Sequence, residues 1–172
     1  MTIRAAFAVI AALAVGLVAT AASADGPDLI YKKTTVWKLL APDAKLGTYA
    51  IDDPEVEGVT CYFTTPEKGG WSGWVGLAEE LSNVSLSCRQ VGPIKFKRQL
   101  DQGEEMFSQR RSILFKRMQI VRGCDAKRNV LVYLVYTDKL IEGSPENSTS
   151  GVPIAPWGEA TPPVKCADWI KE

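Results

Sequence analysis

The segment Tyr136–Trp157, YTDKLIEGSPENSTSGVPIAPW, holds the densest group of side chains that could do chemistry. Asp138, Lys139, Glu142, Ser144 and Asn147 bring two acids, a base, a hydroxyl and an amide close together. Such a set can hold a polar ligand, or supply a nucleophile if Lys139 activates Ser144. The same residues also suit a self-satisfied loop, in which Ser and Asn cap backbone groups and Lys139 pairs with a carboxylate. The loop reading is favoured, with the ligand site second and the nucleophile third.

Two other clusters carry chemical possibilities. Asp52, Asp53, Glu55 and Glu57 crowd four carboxylates into one short run. Calcium would need such oxygens, but the EF-hand spacing and its turn glycine are missing. An exposed acidic turn is the expectation. Paired with Glu79 or Glu80, these acids could also serve a glycosidase, although sequence does not set the carboxylate separation that mechanism needs. Trp71 and Trp74 sit in Gly69-Gly70-Trp71-Ser72-Gly73-Trp74. Indoles on a Gly-rich loop can stack on sugars, Pro-rich peptides or a partner surface, or they fold back and cap the core. Asn83-Val84-Ser85 and Asn147-Ser148-Thr149 match the glycosylation acceptor pattern and are read as chance matches.

The chain contains no histidine. Ser-His-Asp and Cys-His catalysis, imidazole-ligated zinc and histidine pH switches are therefore excluded. No CxxC spacing offers thiolate ligands either, so neither a metal nor a cofactor is expected.

The first residues read as an export signal. Arg4 supplies a positive charge, an apolar run extends from Ala5 to about Ala22, and Ala22-Ser23-Ala24 is a small-x-small cleavage site. The run is long enough to approach a bilayer span, but it is mostly Ala and Val and ends in that site. Residues 1–24 are expected to be a cleaved signal peptide, with Asp25 first in the mature chain and no stable membrane anchor. No Cys follows at once, which excludes a lipoprotein. Residues 25–172 then form one domain, long enough for a real core.

Charge is nearly balanced, with 20 basic and 20 acidic residues in the whole chain. No bulk field favours nucleic acid or an anionic membrane. A local basic excess between Lys95 and Arg128 is read as solvated strand faces, and no nucleic-acid partner is expected.

Four cysteines follow the signal: Cys61, Cys88, Cys124 and Cys166. An even count in an exported chain argues for two disulfides, for which three pairings exist. Cys61–Cys88 and Cys124–Cys166 is the favoured set, closing loops of about 27 and about 42 residues, each worth about 3–4 kcal/mol. The second bridge would also pin a tail containing Pro162-Pro163, which cannot pack as a helix by itself.

These features must be positioned mainly by strands. Leu29–Leu40, Lys45–Ile51, Val59–Thr65, Val84–Val91 and Ile94–Arg98 are rich in Thr, Val, Tyr and alternating apolar residues. Gly92-Pro93 reads as a turn between the last two. Leu77–Leu81 suits one short helical turn, and Glu104–Arg111 suits a short helix or an exposed strand. Ser112–Arg122 and Asn129–Asp138 are the clearest strands, joined by a hairpin at Gly123–Arg128. Val130 to Val135 is apolar on both faces, which places that strand centrally. The Gly-, Pro- and Ser-rich segment after it is expected to be neither helix nor ordinary strand. The fold expected is a single, mainly β, antiparallel domain, a sandwich or open barrel with at most one or two short helices.

Several motifs together resemble the CreA family, catabolite regulation protein A. They are Asp125-Ala126-Lys127-Arg128-Asn129, Asp138-Lys139, Glu142-Gly143-Ser144-Pro145, Asn147, and Val152-Pro153-Ile154 with Pro156-Trp157. Upstream, Asp52-Asp53-Pro54, Val59-Thr60-Cys61-Tyr62, Gly76-Leu77-Ala78-Glu79, Ser87-Cys88 and Gln90-Val91-Gly92-Pro93-Ile94 extend the resemblance over most of the mature chain. The resemblance implies an exported protein of the bacterial envelope with Cys61 and Cys88 as its disulfide pair. Cys124 and the tail carrying Cys166 depart from that pattern as a pair, which supports a separate second bridge. The family name suggests catabolite regulation, but no helix-turn-helix or basic domain supports direct control of genes. The expected function is a periplasmic, non-catalytic binding or accessory module for an envelope protein or small ligand. The rival is a carboxylate- or Lys-dependent enzyme acting on an envelope glycan or peptide.

Overall fold

The computed structural model describes residues 26–36, 44–68, 84–110, 117–138, 146–158 and 163–171. Their strands, in chain order, are β1 (Asp28–Val36), β2 (Ala44–Asp52), β3 (Val56–Lys68), β4 (Ser85–Phe96), β5 (Leu100–Asp101), β6 (Glu104–Arg110), β7 (Arg117–Asp125), β8 (Val130–Thr137), β9 (Asn147–Pro153) and β10 (Ile170–Lys171). A 3-10 turn at Cys166–Asp168 precedes β10. The mainly antiparallel β fold expected from the pattern is what forms. One sheet runs β1-β2-β3-β4, the other β6-β7-β8-β9, and β10 adds a short parallel pair to β5. Among the described residues, no helix is long and apolar enough to cross a membrane.

The core lies between the two four-stranded sheets and follows from alternation. In β3, Cys61, Phe63 and Thr65 are buried while Tyr62 is exposed. In β7 and β8, Met118, Ile120, Leu131, Tyr133 and Val135 are fully buried. Phe63 stacks on Tyr49 of β2 and tilts against Phe107 of β6, with centroids 5.5 and 6.1 Å apart.

One seam between the sheets is closed by side chains. Ser150 Oγ of β9 accepts from the Cys88 amide of β4 at 2.8 Å. The Gln90 side chain accepts from the Ala155 amide and donates to its carbonyl, both at 3.0 Å. Edge groups that would otherwise lack ladder partners are thereby satisfied. At the opposite side of the first sheet, β1 is an edge strand interrupted by two irregularities and carrying Lys32 and Lys33, devices that discourage further strand pairing.

Both favoured disulfides form. Cys61 and Cys88 are register partners on adjacent strands, and Cys124 joins the end of β7 to the 3-10 turn. Between β3 and β4 the register slips at Gly58, which has φ +85°. A Cβ placed there would lie 2.4 Å from the Pro93 carbonyl oxygen. Only glycine fits that crossing.

Several expectations change at this level. The segment after Asp138 does contain an ordinary strand: Asn147–Pro153 is β9, paired with β8 from Tyr136↔Asn147 to Val130↔Pro153. Its Asn, Gly and Pro residues have low strand propensity, and the ladder of a very apolar neighbour overrides it. Because β9 lies on its far side, β8 is an interior strand, as its apolar pattern requires. Gly92-Pro93 does not end a strand; β4 runs through it as a bulge. The ambiguous Glu104–Arg111 is strand β6 over its described residues. Leu77–Leu81 lies outside the described residues.

Candidate functional site

Asp53 is the most consequential residue of the acidic run, and it is not exposed. Its side chain is wholly buried with that of Arg122. Asp53 Oδ1 accepts from an Arg122 terminal nitrogen at 2.5 Å and from the amides of Glu55 and Val56 at 2.9 and 3.1 Å. Its Oδ2 accepts from the Tyr133 hydroxyl at 2.9 Å. The expectation of an exposed acidic turn therefore fails at this residue. Arg122 occupies an inward position of β7, and a buried guanidinium needs a buried carboxylate. Arg122 Nε finds no partner among the described residues.

The remaining acids are each committed elsewhere. Asp52 accepts from Thr60 Oγ1 at 2.5 Å, Glu55 pairs with Arg98 at 3.4 Å, and Glu57 faces Lys95 at 3.9 Å. Divergent partners make this a poor cation site. Among the described residues, no three metal-ligating side chains converge. Glu79 and Glu80 lie outside the described residues. Part of the basic excess after Lys95 is likewise internal pairing: Arg98 binds Glu104, Arg117 binds Glu105 and Ser108, and Arg128 binds Asp125.

Electrostatics follow these contacts. The Arg98 hydrogen bond holds the Glu104 carboxyl below its ordinary range, with help from the Asp101 amide. The Arg98 guanidinium is raised by the same pair. Arg128 lowers the Asp125 carboxyl. Burial, then the Asp53 charge, pushes the Tyr133 phenol far above its usual value.

The outer face of the second sheet gives a different kind of site. Register places Gln119, Tyr136 and Asn147 in one row across β7, β8 and β9. Tyr136 donates its hydroxyl to Gln119 Oε1 at 2.7 Å, and Gln119 Nε2 donates to Asp138 Oδ2 at 2.7 Å. The next row is Val121, Leu134 and Thr149, and the next is Gly123, Val132 and Gly151. The result is an open trough of about 390 Å³ lined by Val121, Val132, Leu134, Gly123, Gln102 and Asp125, among others. Gln102 closes one end by bonding both backbone groups of Cys124, at 2.9 and 3.1 Å.

Of the residues singled out from sequence, Asp138 and Asn147 stand at this polar end. Lys139, Glu142 and Ser144 lie outside the described residues, as do Trp71 and Trp74. Gln119, Tyr136, Val121, Val132 and Leu134 were not anticipated as site residues. Their signal was present in the apolar run of β8: with Leu131, Tyr133 and Val135 in the core, the alternate Val132, Leu134 and Tyr136 must face outward.

The chain was compared with known proteins. The family described as CreA protein matches residues 30–157, from β1 through Trp157 and short of Cys166. Protein CreA of Escherichia coli strain K12 is 49% identical over 127 residues, covering 72% of this chain and 81% of that protein. Protein CreA of Escherichia coli O157:H7 matches to the same extent. No solved structure matches. A match spanning both sheets, at this identity, shows that the chain belongs to the CreA family.

Proposed function

We propose that this CreA-family protein is exported to the periplasm and acts there as a non-catalytic binding module, with the outer face of its second sheet as the ligand surface. The observation that carries the reading is the trough over Val121, Val132 and Leu134, bordered by the hydrogen-bonded row Tyr136–Gln119–Asp138. Apolar floor beside a few placed polar groups is the usual composition of a ligand site. Asp138 and Asn147, in or next to the row of Tyr136 and Gln119, would supply polar contacts at that border. Two disulfides and the leader-like first 24 residues support export. Catalysis has less support, because the acids of the 52–57 run and Glu104 are held in separate structural pairs.

The test is protein-observed NMR on the purified mature protein titrated with cell-wall glycan fragments and short apolar peptides. Binding that disappears in Leu134→Asp, with the fold intact and Tyr62→Ala unaffected as a control, supports the reading. A ligand that perturbs only residues of the first sheet, or turnover of either substrate class, overturns it. Export is checked by amino-terminal sequencing of protein from the periplasmic fraction, expected to begin at Asp25.

A further inference from the structure

The two disulfides do different work. Cys61 and Cys88 are both fully buried and sit opposite each other on strands already joined by a long ladder. Opening that bond would release no segment. Cys124–Cys166 instead ties β7 to a segment spanning 163–171 whose other contacts run through the two-residue strand β10, the side chains of Phe96, Gln99 and Asn129, and the buried Ile170. Leu100 donates to the Trp169 carbonyl at 2.9 Å, and Gln102 to the Lys171 carbonyl at 2.8 Å. Asn129 donates to the Val164 carbonyl and accepts from the Cys166 amide, both at 2.9 Å. Trp169 stacks on Phe96 at 5.6 Å, and Ile170 helps to bury Leu100. A short segment held by a two-residue strand pair and side-chain bonds opens at lower free energy than a four-stranded sheet once untethered.

Accessibility also separates the two bonds. Cys124 is partly exposed and Cys166 is buried, whereas Cys61 and Cys88 are both fully buried in the core. Thiol–disulfide exchange requires a thiolate to reach a sulfur.

We propose that Cys124–Cys166 is a reducible clasp, and that its opening by a dithiol frees the strap 163–171 while both sheets stay folded. A dithiol thiolate attacks Cys124 Sγ, the Cys124–Cys166 bond breaks, and its electron pair leaves on Cys166 Sγ, which takes up a proton. The second dithiol sulfur then closes the reductant into its own disulfide and releases Cys124 as a thiol. The protein gains two electrons and two protons, and the dithiol is oxidised. Release of the strap removes both Asn129 side-chain bonds at the Asp125–Asn129 turn, beside the Gln102–Cys124 end of the trough. The clasp is thus placed to regulate that surface; this last step rests on the binding reading, while the clasp itself does not.

Graded reduction of the mature protein with dithiothreitol, alkylation with iodoacetamide and mass mapping test the clasp directly. Cys124 and Cys166 are expected to be labelled at least tenfold faster than Cys61 and Cys88. Hydrogen exchange should accelerate at Leu100, Gln102, Cys166 and Trp169, with the β7–β8 amides unchanged. The C124S/C166S variant should show the same exchange pattern without reductant. Simultaneous labelling of all four cysteines, an unaltered strap after reduction, or failure of the variant to fold would each overturn the proposal. None of these readouts uses a ligand, so the clasp can stand if the binding surface fails.

Discussion

Asp53 Oδ1 lies 2.5 Å from Arg122, and neither side chain reaches solvent. Their positions are 69 residues apart, one in the turn before β3 and one in the middle of β7. The pair therefore joins the two sheets through the core. Tyr133 on β8 completes it by donating to the other carboxylate oxygen.

Removing one partner should be far more costly than removing the charge from both. Arg122→Met leaves a buried, uncompensated carboxylate and is expected to cost about 3–5 kcal/mol. Adding Asp53→Asn should recover a substantial part. The neutral amide oxygen can still accept from the Glu55 and Val56 amides, although two atoms no longer carry unpaired charge. Urea unfolding of the single and double variants measures the difference; equal losses in both would show that the charge is not what matters.

Tyr133 should respond at the other end of the pH scale. Its phenol is raised in the folded state by burial and by Asp53, so the folded state holds that proton more tightly than the unfolded chain does. The associated stability is fully present below the ordinary tyrosine pKa of 10.0 and declines as pH rises beyond it. Tyr133→Phe is expected to flatten the alkaline limb of a stability–pH curve while costing about 1–3 kcal/mol at neutral pH for the unsatisfied Asp53 oxygen. Denaturant melts at pH 7 and pH 11 distinguish this from a simple packing loss, which would be the same at both.

Glu104 gives the acidic counterpart. Its carboxyl is lowered chiefly by Arg98, so that stability is present above the unfolded value of 4.5 and is lost as pH falls through the lower folded value. Arg98→Ala should be less stable than the parent at pH 7, and the gap should narrow on acidification below the ordinary carboxylate range. A gap independent of pH would assign the effect to the Arg98 stem rather than its charge.

Gly58→Ala should be among the most damaging small substitutions. It combines a left-handed backbone with a Cβ placed 2.4 Å from the Pro93 oxygen. A loss of at least about 2 kcal/mol is expected from the strain and the displaced crossing. Gly103→Ala is the comparison: its φ is +77° but nothing lies within 4 Å of a Cβ there, so only the conformational cost applies. Thermal unfolding of the two variants should rank Gly58→Ala well below Gly103→Ala.

Residues that serve a ligand should be separable from the scaffold. Lys139→Ala, Glu142→Ala and Ser144→Ala are expected to change stability by no more than about 0.5 kcal/mol. Tyr136→Phe removes one end of the Tyr136–Gln119–Asp138 chain and should cost about 1 kcal/mol. Collapse of stability in the first three would make that segment scaffold.

Much of this molecule was legible before any coordinates. Alternation along residues 59–65 and 130–137 specified strands and their inward faces, because a strand with one side in the core repeats every second residue. An even count of four cysteines pointed to two bridges, and the absence of histidine removed whole classes of chemistry. What local pattern could not supply were relationships between distant segments. Asp53 reads as one acid in an exposed run until β7 brings Arg122 beneath it. Asn147 to Pro153 reads as irregular chain until the apolar edge of β8 offers it a ladder. The trough forms where register sets Val121 beside Leu134 and Gly123 beside Val132 across β7 and β8. Composition and periodicity determine which residues must be buried and where strands can form; long-range pairing alone decides which charges meet and which outward faces become a surface.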